Sequence, residues 1–150
     1  MFVLVSSPQR ITKSPPKYNT VLIGSQIKLE WKFKFQPAKE LHRIFLFRYN
    51  PVSKAKITIA SMNVTSKTIQ YSPLQTEKYL CNAYVKNNGD GSGLIAIDNI
   101  QFNHTGYYGI GLESQQHHLP TIENSVSVKV VGKINLTYSI VSFEAALTLS

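Results

Sequence analysis

The sequence contains a single cysteine in 150 residues. One thiol closes no internal disulfide and founds no cysteine-rich zinc site, so a disulfide-stapled framework is excluded. Long apolar runs are also missing. No stretch reaches the roughly 18 residues of a membrane span, and the best, IVSFEAALTL at 140–149, is short and carries Glu144. The N-terminal MFVLVSS lacks a basic leader, so it is not read as an intact signal peptide, although an earlier removed signal fits equally well. Apolar spacing typical of a helix is absent over any usable length, save weakly around Val141 to Leu147. Charge is sparse, at 16% of residues against 43% apolar, which places the chain among folded rather than disordered proteins.

Catalytic and metal-binding sets are missing too. The eight carboxylates include no closely spaced pair. His117 and His118 are adjacent, and no spacing brings Cys81 beside His42, His104 or His117 as a nucleophile pair would require. The stretch Asn87 to Gly93 (NNGDGSG) has the composition of a calcium loop but offers one carboxylate where such sites use several, and it reads as a turn. The expectation is no enzyme, no metal and no cofactor. Cys81, within the alternating YLCNAYV, reads as a small buried hydrophobe, with a reactive or intermolecular thiol as the alternative.

The charge that is present is lopsided, with 16 Lys and Arg against 8 Asp and Glu, a net of +8. The basic residues are scattered, with no run of five and no RNP, helix-turn-helix or zinc-finger pattern, so no nucleic-acid partner is expected. They imply a solvated surface with attraction to anionic partners.

Strand signals dominate the remainder. Ser25 to Phe35 alternates Ile27, Leu29, Trp31, Phe33 and Phe35 with Lys28, Glu30, Lys32 and Lys34, the period of a half-buried strand. Ile44 to Tyr49 is a continuous apolar run closed by Asn50-Pro51, as in a central strand buried on both faces. Further strands are expected over Lys54–Ala60, Lys67–Tyr71, Tyr79–Lys86, Leu94–Ile100, Tyr107–Leu112 and Ser125–Val131. Short strands separated by Gly, Pro, Asn and Ser turns, without helices, predict an all-β sandwich or barrel. The domain is expected to occupy residues 1–132, with 133–150 a tail or the first strand of a following domain.

The most specific segment is Ile95 to Leu112, IAIDNIQFNHTGYYGIGL. It resembles the L-x-I-x-N-V-x-x-x-D-T-G-Y-Y-x-C signature of V-type immunoglobulin domains, running from strand E through the E–F turn into strand F. Thr20 to Leu29 is similar to the A′ strand, turn and B strand of that family, and Ser125–Val131 to its G strand. The resemblance implies an immunoglobulin-like (V-set-like) β-sandwich of two antiparallel sheets. It makes Tyr108 the tyrosine corner, with Gly106 allowing the sharp turn before it. The departures are as informative. The two cysteines of the inter-sheet disulfide fall on Trp31 and Ile110, the strand-C Trp on Leu46, and the Asp before the corner on His104. Loss of such a disulfide typically costs about 2–5 kcal/mol, and burying one large aromatic returns about 1.5–3 kcal/mol, so Trp31 is expected to supply the missing bulk.

Three N-x-S/T sequons, at Asn63, Asn103 and Asn135, fall in expected turns or beyond strand ends and favour an extracellular glycoprotein. The B–C loop, Gln36 to His42, and the F–G loop, Glu113 to Thr121, are expected at one end of the sandwich, where Lys39, Glu40, His42, Gln115, Gln116, His117 and His118 are candidate contact residues. The faces of the front sheet are the other expected contact surface. A V-like domain lacking both disulfide cysteines is similar to the membrane-distal domains of the hydroid (cnidarian) allorecognition receptors. That resemblance implies a membrane-anchored parent and like-with-like binding between opposing cells. Two functions follow as expectations: a cell-surface recognition and adhesion domain binding another protein, foremost a copy of itself, or a secreted or viral immunoglobulin-like binder of a heterologous protein or anionic ligand. A structural sandwich within a larger adhesin is a third. Two +8 domains repel at long range, so self-binding requires basic patches to meet Glu30, Glu40, Glu113 or Glu123.

Overall fold

The computed structural model describes residues 9–50, 52–73 and 79–132; the expected tail at 133–150, with Asn135, lies outside them. The described residues form ten strands: β1 (Gln9–Lys13), β2 (Tyr18–Leu22), β3 (Ile27–Phe35), β4 (Leu41–Tyr49), β5 (Lys56–Asn63), β6 (Thr68–Tyr71), β7 (Tyr79–Val85), β8 (Asp90–Ile97), β9 (Gly106–Ser114) and β10 (Ile122–Val131). The only helical segments among them are single 3-10 turns at Ala38–Glu40 and Phe102–His104. Two sheets pack face to face as a β-sandwich, one ordered β1-β3-β8-β7 and the other β2-β10-β9-β4-β5-β6.

Every pairing is antiparallel except β2 with β10, which is parallel, so the larger sheet is mixed. The cause lies in Pro15 and Pro16, between β1 and β2. Proline lacks the N–H that a ladder needs, and the chain leaves β3 of one sheet there to join β10 of the other. Asn19 Nδ2 fixes the crossing by donating to Pro16 O at 2.7 Å and Ser127 O at 3.0 Å.

The alternation of β3 buries Leu29, Trp31, Phe33 and Phe35 and exposes Lys28, Glu30 and Lys32. Trp31 is fully buried, and its Nε1 donates to Asn124 Oδ1 of β10, in the opposite sheet, at 3.0 Å. Its register partner on β8 is Gly93. A Cβ on Gly93 would lie 2.6 Å from Ile110 Cδ1 and 3.2 Å from Leu46 Cδ2. Leu46 and Ile110 are themselves register partners on β4 and β9. Trp31, Leu46 and Ile110, three positions that depart from the V-type pattern the sequence resembles, therefore share one part of the core.

Gly93 also explains a difference from expectation. Asp90 to Gly93 belongs to β8 rather than to the turn, which is confined to Lys86–Gly89 and closed by Gly89 N donating to Lys86 O at 2.9 Å. Glycine-rich sequence signals a turn locally. In β8 the glycines instead admit neighbours, since a Cβ on Gly91 would collide with the Phe33 ring at 2.2 Å. β1 is a strand that the sequence pattern did not single out. β4 begins at Leu41 and β9 ends at Ser114, so the expected loops are shorter by those residues.

Truncation of Trp31 removes both bulk and a buried donor. Trp31→Ala is expected to lower unfolding free energy by about 3–5 kcal/mol, and Gly93→Ala by about 1–3 kcal/mol through overpacking against Ile110. Urea unfolding followed by far-UV circular dichroism measures both.

Candidate binding surface

Two regions gather polar and aromatic side chains: one end of the sandwich, and the outer face of the six-stranded sheet. At the end, the segments after β3, β5, β7 and β9 are joined by hydrogen bonds. Gln36 Nε2 donates to Asn88 O at 3.1 Å, Val64 N to His42 O at 3.1 Å, and Gln115 N to Glu40 O at 2.6 Å. Glu40, His42 and Gln115 are thus brought together, with Lys39 exposed beside them. His42 belongs to β4 rather than to a loop and is half-buried. Gln116, His117 and His118 are exposed on the turn beyond, where Gln116 N is held by Ser114 Oγ at 3.1 Å.

At the opposite end, the 3-10 turn at Phe102–His104 reverses the chain, and Gly106 opens β9 with an almost extended φ of 159°. Tyr108 is fully buried, and its hydroxyl donates to His104 O at 2.6 Å. His104 is buried, and its Nδ1 accepts from Gln101 N at 2.8 Å, closing the turn where the family's pattern has a carboxylate. Arg48 of β4 supplies a cation there: its guanidinium donates to the backbone oxygens of Asn103 and Thr105 and to Tyr79 Oη, and lies 5.7 Å from the centre of the Tyr108 ring. Asn103 is exposed on this turn. Asn63, at the end of β5, is half-buried, and its Oδ1 accepts from Thr65 N and Ser66 N at 3.0 and 3.3 Å.

The face of the six-stranded sheet that points away from the core was not resolved residue by residue from sequence. Register sets it out in rows. One runs Tyr18, Ser127, Tyr107, Tyr49, Lys56; the next Ser125, Gly109, Phe47, Thr58; the next Glu123, Gly111, Phe45, Ser61; and the row nearest the loops pairs Glu113 with Arg43 and Arg43 with Asn63. Phe47 is 4% exposed although it lies outside the core cluster. It lies against Gly109, where a Cβ would come within 2.5 Å of Phe47 Cζ. Lys56 covers it, with Nζ 4.3 Å from the ring centre and paired to Glu123. Tyr49 and Tyr107 meet edge to face at 5.9 Å, and Arg43 lies over Phe45. Phe47, Tyr49, Lys56, Glu123 and Ser125 line a hollow of about 310 Å³. The sequence signal for this face is the pairing of two alternations: Phe45, Phe47 and Tyr49 on one strand, Gly109 and Gly111 on the next. It is invisible until the strands are known to be neighbours.

Glu113 Oε2 is shielded from solvent and has no hydrogen-bond partner among the described residues. No group of three or more potential metal ligands occurs among the described residues. The sequence matches no protein-family model and no curated protein.

Cys81, on β7, is buried, and desolvation pushes its thiol up to about 12. Tyr71 Oη, from the edge of the other sheet, binds both its N at 3.0 Å and its O at 3.3 Å. The native thiol stays protonated while an unfolded one ionises near 9.0. Between those values the unfolded chain binds fewer protons, so this group makes stability fall as pH rises. Unfolding measured from pH 8 to 11 is expected to show a slope flatter by about one proton for Cys81→Ala, and thiol reagents to label the native protein only on unfolding.

Proposed function

We propose that the chain is an extracellular, cell-surface recognition domain of the V-type immunoglobulin class, binding another protein through the outer face of its six-stranded sheet. The partner is a second copy of the same domain on an opposing cell. Strand order supports the class. A V-type domain sets strands A, B, E and D in one sheet and adds C′ and C″ to the sheet holding G, F and C; here β1-β3-β8-β7 and β2-β10-β9-β4-β5-β6 follow that order in sequence. The buried Tyr108 hydroxyl on His104 O supports it as well, since a tyrosine corner bonds backbone a few residues upstream. Sequons at exposed Asn103 and at the Asn63 turn suit an extracellular glycoprotein.

The observation that carries the binding reading is the make-up of the six-stranded face. It presents Tyr18, Phe45, Tyr49 and Tyr107 with cations Arg43, Lys56 and Lys129 against Glu113 and Glu123. Aromatic residues and Arg are what interface cores favour. The mixed signs answer the repulsion expected of two +8 chains. In an isologous contact the patch meets itself, so each copy's Arg43 and Lys56 can face the other's Glu113 and Glu123. Like-with-like binding of this kind serves self/non-self recognition, the role implied by the resemblance to the allorecognition receptors.

Sedimentation velocity from micromolar to near-millimolar concentration tests the proposal. A reversible monomer–dimer equilibrium is expected, weakened about tenfold or more by Tyr107→Asp and unchanged by His117→Ala. A monomer at every concentration, or a dimer indifferent to Tyr107→Asp, overturns it.

A further inference from the structure

The opposite face of the sandwich has another character. Along β3 the outward residues are Lys28, Glu30, Lys32 and Lys34. Register sets Lys34 opposite Arg10 and Lys32 opposite Lys13 of β1. On the other side of β3, Lys34 faces Asp90 and forms an ion pair with it at 3.5 Å, while Lys32 faces Ser92 and, beyond it, Tyr84 of β7. Lys86 follows Tyr84 on the same side, and its backbone N donates to Asp90 O at 2.8 Å. Arg10, Lys13, Lys28, Lys32, Lys34 and Lys86 therefore share this face with Tyr84, spread across the sheet from β1 to β7, against the carboxylates Glu30 and Asp90, with Lys32 and Lys86 nearest the ring.

Like charges directly opposite on neighbouring strands destabilise a sheet. Lys34 is answered by Asp90, but Lys13 opposite Lys32 is a local conflict that the fold alone does not require, and conflicts of this kind concentrate where a ligand relieves them. Tyr84 is 48% exposed, an open ring amid the lysines. Thr12, Lys32, Tyr84, Lys86 and Asp90 bound a shallow depression of about 240 Å³. The surface is broad and flat, so it suits an extended polyanion whose charges repeat across the strands rather than one small anion in a closed pocket.

We propose that this face binds a sulfated polysaccharide, with a sulfate between Lys13 and Lys32 and a sugar ring on Tyr84. The choice of polysaccharide over nucleic acid or anionic lipid rests on the extracellular reading above; the site itself is separate from the six-stranded face. Such a ligand, bound to the domain's back, leaves the aromatic face open to a partner.

The test uses heparin as the probe, with surface plasmon resonance at several salt concentrations. Single-stranded DNA and vesicles of phosphatidylserine and phosphatidylcholine serve as competing classes. Lys13→Gln and Lys32→Gln are each expected to weaken heparin binding about fivefold and to lower the slope of log K against log salt by about one. Lys54→Gln, away from this face, is expected to change neither. Both face variants are expected to melt no lower than the parent, because each removes a like-charge pair, and this separates lost binding from lost folding. Absence of heparin binding, equal loss in Lys54→Gln, or binding that survives Lys13→Gln and Lys32→Gln overturns the site. Tighter binding to DNA or vesicles overturns the polysaccharide, and the DNA outcome overturns the extracellular placement with it. Self-association through the other face is read independently by Tyr107→Asp.

Discussion

The indole of Trp31 is the contact on which the sandwich depends. It belongs to one sheet, occupies the space between them and donates its N–H to Asn124 in the other. A covalent link would hold two sheets at a fixed spacing; a buried aromatic does so only if its surroundings fit. Gly93, directly across the ladder from Trp31, gives up its side chain so that Ile110 and Leu46 can close over the same region. Trp31, Gly93, Leu46 and Ile110 are therefore packed as one set. One tryptophan, two aliphatic residues and a glycine fill this centre, and an oriented hydrogen bond keeps the indole N–H satisfied. Tyr71, bridging to the backbone of Cys81 at the open edge, adds a second polar link between the sheets.

With the core settled by packing, the two outer faces are free to differ. One is aromatic and mixed in charge, with glycines beneath Phe47 and Phe45 that bring the rings close to the sheet. The other is basic to the point of placing cation opposite cation. A net charge of +8 looks hostile to self-association when treated as uniform. Distributed this way it is less so: the back is predominantly basic, while the front carries charges of both signs.

Much of the fold was legible from the sequence because the signals were period-two alternations, which report burial directly. β3 and β10 are the clearest, with Trp31, Val126, Val128 and Val130 all inward. The errors have physical causes. Asp90 to Gly93 reads as a turn because glycine permits one, yet tertiary neighbours, not local preference, decide its role in β8. His42 and Glu113 read as loop residues because polar side chains mark strand ends poorly. The parallel partnership of β2 depends on a partner more than 100 positions away. For the candidate surface, the loop residues were easy to nominate and the aromatic face was not, since a face exists only once strand order is known. The partners of Arg48 at the corner were hidden for the same reason: nothing local links it to Asn103, Thr105 and Tyr79.

The account stands or falls on which surface meets a partner. The most direct measurement is a concentration series of two-dimensional amide spectra of the isotopically labelled domain, read residue by residue. The account predicts concentration-dependent shifts at Phe45, Tyr49, Tyr107, Gly109 and Gly111, with Lys28, Lys32 and Tyr84 on the opposite face unmoved. Shifts confined to residues 36–42 and 115–121, or to the basic face, would contradict it.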